Sequence, residues 1–260
     1  MSDTQTSARS KRPSLSEPLT VVVTGASSGI GRAVAEAYVR RGARVVLVGR
    51  DETKLRSVVE GLDASERTAG VAGDIADVRT VDRTFEVTRE RFQRVDVLVN
   101  SAGIFVGKPF CDYEPADLDL LVGTNLRGLV LASQAAVRDF RRGGRGGAIV
   151  NVSAALALQP FASIPASVAM AVKSAVNGLT QSLALELAPE QITVNAVAPG
   201  TIKTPLIGPP AGYEALAGGQ PMGHIGEPED VVDAVIYLAS ARFVTGVVLP
   251  VDGGMTTGHW

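Results

Sequence analysis

From Leu19 onward, short runs of Val, Ile and Ala alternate with longer stretches in which apolar residues recur every three to four positions. The runs Leu19–Thr24, Arg44–Val48, Thr68–Gly73, Val95–Asn100, Ala148–Ser153, Ile192–Ala196 and Val247–Pro250 predict strands. They are nearly continuous in apolar character rather than alternating, as strands covered on both faces are. The stretches near 30–41, 51–61, 77–92, 115–141, 167–188 and 228–240 predict helices. This alternation predicts a single-domain α/β fold, a doubly wound parallel sheet of about seven strands flanked by helices and joined by right-handed crossovers. Segment 201–222, with its Gly, Pro and mixed apolar residues, predicts a loop with short helices lying over the site as a lid.

Composition narrows the picture by exclusion. With 260 residues, 45% of them hydrophobic, the chain can bury one large core. A net charge of −2 gives no electrostatic reason to expect nucleic acid or an anionic membrane. Charged, polar or Gly residues interrupt every apolar run before the roughly 18 residues that span a bilayer. The one cysteine, Cys111, has no internal partner, which suits a reducing cytoplasm. Two histidines, His224 and His259, are too few and too far apart in sequence to predict a zinc site. Residues 1–17 are polar, lack the apolar region of a secretory signal, and predict a disordered tail ahead of a domain spanning 18–260.

The chemistry begins between the first strand and first helix, at Thr24-Gly25-Ala26-Ser27-Ser28-Gly29-Ile30-Gly31. Glycine there allows a tight turn, lets backbone approach a pyrophosphate and permits close helix–strand packing. The helix start adds free N–H groups and the positive end of a dipole. A Gly-rich turn in this context predicts a Rossmann-like dinucleotide site. The second strand ends in Gly49-Arg50, where an acidic residue would hold the ribose 2′-hydroxyl of NAD. Gly49 offers no charge against a 2′-phosphate and Arg50 can pair with one, so NADP(H) is expected over NAD(H).

The glycine turn, Asn100-Ser101-Ala102-Gly103, Asn125, the Ile149–Ser153 strand, Lys173, Pro199-Gly200 and Val251-Asp252-Gly253-Gly254 occur together in order. On these residues the chain resembles the short-chain dehydrogenase/reductase family, in its single-domain branch, over about residues 18–256. The resemblance implies that Gly25, Ser27, Ser28, Gly29, Ile30 and Gly31 hold the phosphates. Asp74 and Ile75 would contact the adenine, and Asn100, Ala102 and Gly103 would lie on the adenosine ribose side. Lys173 would hold the nicotinamide ribose, and Pro199, Gly200, Ile202 and Thr204 would line the carboxamide. Asn125 would help hold a water chain from Lys173 to solvent.

At the reacting centre the chain leaves the pattern. Four residues before Lys173, where the family carries its proton-donating tyrosine, stands Ala169; the family's serine position falls on Ala154, beside Ser153. The interval between those positions is about two residues longer than usual, so Ser153, Ser163 or Ser167 could be repositioned. Lys173, Asn125 and Ser153 are the candidate catalytic residues that remain. Tyr38 and Tyr237 read as packing residues on helices, whereas Tyr213 and His224 lie in or beside the lid.

The expectation is an NADP(H)-dependent oxidoreductase acting between carbonyl and alcohol with atypical proton delivery. Two alternatives stay open: an NADP(H)-binding pseudoenzyme or partner subunit, and lyase, isomerase or cyclase chemistry in the same pocket. Phe105, Val106, Phe110, Leu156, Leu158 and Phe161 suggest an apolar pocket for a small hydrophobic substrate. A cytoplasmic location is expected from the lone cysteine, and the resemblance also implies a homo-oligomer, tetramer before dimer, pairing helices 115–141 and 167–188. The face carrying Leu118, Leu121, Val122, Leu126 and Leu129 is available for it.

Overall fold

The computed structural model describes residues 18–208, 213–218 and 220–258. The polar tail, part of the lid, His259 and Trp260 lie outside the described residues. Seven strands form one parallel sheet in the order β3-β2-β1-β4-β5-β6-β7. They are β1 (Thr20–Thr24), β2 (Arg44–Gly49), β3 (Thr68–Ala72), β4 (Val97–Asn100), β5 (Gly147–Val152), β6 (Ile192–Pro199) and β7 (Val248–Val251). The helices are α1 (Gly29–Arg40), α2 (Glu52–Gly61), α3 (Val78–Phe92), α4 (Pro115–Val122), α5 (Gly128–Gly143), α6 (Ser167–Leu187), α7 (Tyr213–Ala217) and α8 (Pro228–Ser240).

Successive strand residues explain why both faces are apolar. Val21, Val23, Val45 and Leu47 pack beneath α1 and α8, whereas Val22, Val46, Leu98 and Ile149 pack beneath α3, α5 and α6. All eight are 0% exposed, and each contributes about 1.5–3 kcal/mol of burial. Helix starts are written locally. Asp51 caps α2 by accepting from the Lys54 N–H at 3.0 Å, and Asp77 caps α3 by accepting from the Arg79 N–H at 2.9 Å. The pairs Glu114/Asp117 and Glu227/Asp230 box the starts of α4 and α8, each with proline at the first helical position.

The single helix expected over 115–141 is instead interrupted. Between α4 and α5, residues Gly123–Arg127 form one π-helical turn, with Gly128 directly after it. A Cβ at Gly128 would sit 2.6 Å from the Ile75 side chain, so the helix runs tight against the loop after β3. The run Pro115–Gly143 is, by length and composition, long and apolar enough to cross a membrane, contrary to the sequence expectation. Here Ala132, Ala136 and Phe140 of α5 pack with Val22 and Leu98 of the sheet, and Leu121 of α4 packs with Ala166 and Val172.

The helical face proposed for oligomerisation divides. Leu121 and Leu129 are buried, while Leu118 and Val122 face solvent. Two strand ends shift by more than one residue: β4 begins at Val97 and β6 runs on to Pro199. Val95 is tied to the buried Asp139 by its N–H, and Asp96 accepts from the Thr20 N–H, both at 2.9 Å.

Candidate active site

The carboxyl ends of β1, β4 and β5 meet in register, Thr24 beside Asn100 and Asn100 beside Asn151. Thr24 joins the first two loops: its hydroxyl accepts from the N–H groups of Ser101 and Ala102, each at 3.1 Å. The glycine turn fits under this junction. Gly25 has φ +69°, and a Cβ there would lie 2.7 Å from the Ala102 Cα; at Gly31 it would meet the Gly25 carbonyl at 2.4 Å. Ser28 stands at the N-cap of α1 without using its side chain, so no side chain caps the first turn. An open cradle of backbone donors at a helix start suits a pyrophosphate.

Gly49 is buried at the end of β2, and a Cβ on it would stand 3.1 Å from the Ser27 side chain. Arg50 follows on the exposed turn before α2. Ser27 and Arg50 thus share one corner, with no carboxylate in the place where one would hold a ribose 2′-hydroxyl. Thr204 approaches from the other side: its methyl lies 3.1 Å from where a Gly29 Cβ would be. Gly200 has Asp252 at its back, 2.8 Å from a notional Cβ. These features fit a dinucleotide laid along the strand ends.

Several residues expected to touch the cofactor turn their side chains elsewhere. Asn100 is 2% exposed; its amide donates to Ser133 at 3.0 Å and to Asn151 at 2.9 Å. Asn151 in turn donates to Thr180, so this chain ties β4 and β5 to α6. Ile75 and Ile202 are also buried, Ile75 against Gly128 and Ile202 against Gly226. Asp74 is exposed and its side chain accepts from the Ala76 N–H. Pro199 is buried at the last position of β6, whereas Ala102 and Gly103 are half-buried in the loop after β4.

Lys173 stands at the centre. Its ammonium donates to the Val152 carbonyl at 2.8 Å. The residue is only half-buried, yet loss of water around the ammonium pushes its pKa down to about 8. Gly103 fits between two of its neighbours: a Cβ there would be 3.1 Å from the Asn125 Oδ1 and 3.4 Å from the Lys173 Nζ. Asn125, on the π turn, pairs both ways with Ile104. Its Oδ1 accepts from the Ile104 N–H at 2.9 Å, and its Nδ2 donates to the Ile104 carbonyl at 3.0 Å. These two bonds hold the loop after β4. Ser153 is 4% exposed, and its hydroxyl donates to the Lys173 carbonyl at 3.3 Å. That bond fastens the residue after β5 to α6.

Ala169 is 1% exposed. It packs with Leu121, Ala166 and Val172, and Ile104, Val106, Tyr113, Leu126, Val168 and Met170 close around them. The Ala169 methyl is thus enclosed by apolar side chains. Tyr113 donates to the Val106 carbonyl at 2.7 Å, and His224 is exposed on the chain before α8. Ser163, in the turn before α6, and Ser167, its first residue, are exposed. A groove of about 550 Å³ gathers Phe110, Leu156, Phe161, Ile164 and Met170, with Lys108 at its edge. Neither Ala169 nor Lys173 borders it, and Val106 belongs instead to the cluster around Ala169.

The sequence matches the family described as enoyl-(acyl carrier protein) reductase over residues 25–256. It is 31% identical to a short-chain type dehydrogenase/reductase from Mycobacterium marinum, with TM-score 0.87 across 92% of this chain and 96% of that one. The chain belongs to the short-chain dehydrogenase/reductase family. It is 42% identical to L-rhamnose 1-dehydrogenase (NAD(P)(+)) of Azotobacter vinelandii, covering 91% of this chain and 96% of that protein. The 3-ketoacyl-(acyl-carrier-protein) reductase from Brucella melitensis, solved with NADH, is 33% identical with TM-score 0.86, over 92% and 99% of the two chains. As a short-chain dehydrogenase/reductase, the protein is an oxidoreductase of the kind that acts on hydroxyl and carbonyl groups. Among its site residues, the sequence reading passed over Thr24 and Asn151. A hydroxyl on the last residue of β1 and an amide inside an apolar strand were the available signals.

Proposed function

We propose that this oxidoreductase uses NADP(H) in preference to NAD(H) to interconvert a carbonyl and an alcohol on a small, hydrophobic substrate. The observation that carries the cofactor preference is the corner formed by Ser27, Gly49 and Arg50, where a cation stands and a carboxylate does not. The glycine turn and the first turn of α1 hold the pyrophosphate, Lys173 the nicotinamide ribose, and Thr204 the carboxamide side. When bound, the cofactor supplies or removes a hydride. Proton delivery falls to Lys173, an ionisable group beside Gly103 and Asn125, whose lowered pKa suits proton exchange near neutral pH.

One observation favours a second reading: the apolar filling around Ala169 also suits a cofactor-binding subunit without redox turnover. Assembly through α4 and α6 as a homo-oligomer, tetramer before dimer, agrees with the exposure of Leu118, Val122 and Leu185. A cytoplasmic location, with neither nucleic acid nor membrane as partner, is part of the same reading. The test is substitution at the corner. Arg50→Ala should weaken NADPH by about 10-fold or more, the scale of a charge-assisted pair, and leave NADH unchanged. Gly49→Asp should reverse the preference. Equal loss of both cofactors in Arg50→Ala would contradict the assignment.

A further inference from the structure

The groove of about 550 Å³ beside the loop after β5 is walled by Phe110, Leu156, Phe161, Ile164 and Met170. Phe110 is 73% exposed and Ile164 38%, so large apolar side chains of one groove face water, which a covering apolar group would relieve. The chain itself leads to this place. After β7, Asp252 sets a tight turn. Its carboxylate accepts from the Gly254 N–H at 3.0 Å, and from the N–H and hydroxyl of Thr256 at 2.9 and 2.6 Å. Thr257 closes the turn by donating its hydroxyl to the Gly254 carbonyl at 2.7 Å. Gly258 then stands against the loop after β5, where its carbonyl accepts from the Gln159 side-chain amide at 3.4 Å. Gln159 lies in sequence between Leu156 and Phe161, two of the groove walls.

His259 and Trp260 follow Gly258. Two extended residues span at most about 7 Å, the same span that leads along the loop from Gln159 to Phe161. We infer that Trp260 seats its indole in this groove and is the occupant the groove is built for. The side chain matches in kind: a tryptophan buries about 150–250 Å² and packs offset or edge-on against rings such as Phe110 and Phe161. Ser167 also lines the groove and offers a hydroxyl acceptor for the indole N–H. Seated there, Trp260 ties the segment after β7 to the loop after β5 and to the first turns of α6, the helix that carries Ala169 and Lys173. The groove is then filled by a residue of the chain and closed to outside ligands. None of this depends on which cofactor binds.

Trp260 is the only tryptophan in the chain, so tryptophan fluorescence of the full chain reads this residue alone. Emission of the folded protein should be blue-shifted against the same protein in guanidinium, and acrylamide should quench it several-fold less. Phe110→Ser, at an exposed position, and Phe161→Ser should each move the emission toward the red and raise quenching, with circular dichroism unchanged. Phe243 is a control: Thr245, two residues on, bonds Val194 near the start of β6, so Phe243 stands at the other end of the sheet. Phe243→Ser should change neither emission nor quenching. Folded-state emission and quenching equal to those of the unfolded chain overturn the inference, as does a blue shift that both groove variants leave in place. A blue shift that disappears on dilution assigns the groove to a second copy's tryptophan and overturns it as well.

Discussion

Placing the family's tyrosine back at its position should fail, and the reason is steric. In Ala169→Tyr, a phenol must enter a site where the present side chain is 1% exposed and Leu121, Ala166 and Val172 are each less than a tenth exposed. Ile104 and Val106 press on the same cluster from the loop after β4, and Asn125 anchors that loop through both hydrogen bonds to Ile104. Admitting the ring means moving this loop or straining α6. Overpacking of a filled core site destabilises by about 1–3 kcal/mol. For a chain of this size that corresponds to a fall in Tm of roughly 2–12 °C. A hydroxyl displaced with its loop is not positioned at the reacting carbonyl. Ketone reduction should therefore stay within a few-fold of the parent, rather than gaining the roughly 10²–10⁴ of a positioned acid. Scanning calorimetry and NADPH oxidation on a ketone panel measure both quantities. An unchanged Tm together with a hundredfold faster ketone reduction would refute the packing argument.

Other outcomes follow from the same geometry. Gly31→Ala puts a Cβ 2.4 Å from the Gly25 carbonyl, so cofactor binding measured by calorimetry should be lost and Tm lowered. Lys173 has a folded pKa of about 8 against an ordinary 10.5, so between those values the unfolded chain holds more protons. Stability should therefore rise with pH across that window, and denaturant titrations of Lys173→Met should lack that share of the rise. Val122→Asp with Leu185→Glu places charge on the exposed face of α4 and α6, where Leu185 is 82% exposed. Light scattering should then report a smaller assembly with an unchanged circular dichroism spectrum.

The order of elements was legible because a sheet covered on both faces needs unbroken apolar strands, and seven such runs are present. The cofactor turn was legible because glycine marks backbone that approaches something closely. Side-chain direction was not. Asn100, Ile75 and Ile202 occupy motif positions, yet their side chains pack inward, since a motif records where the backbone passes and not which way each residue faces. The interruption at Gly123–Arg127 escaped because helical periodicity continues through it; what decides it is the pairing of Asn125 with a loop twenty-one residues earlier. Likewise, Leu121 and Leu129 lie on the same helical stripe as Leu118 and Val122, and only packing separates the buried pair from the exposed one. Ala169 was plain in the sequence, but its enclosure was not, because Ile104, Val106 and Leu121 come from distant segments.

The most direct test of the account is a calorimetric titration of the purified protein with NADPH and, in parallel, with NADH. The account predicts micromolar binding of NADPH, with NADH weaker by about 10-fold or more, the margin of one arginine–phosphate pair. Binding of neither cofactor, or NADH bound as tightly as NADPH, would contradict it.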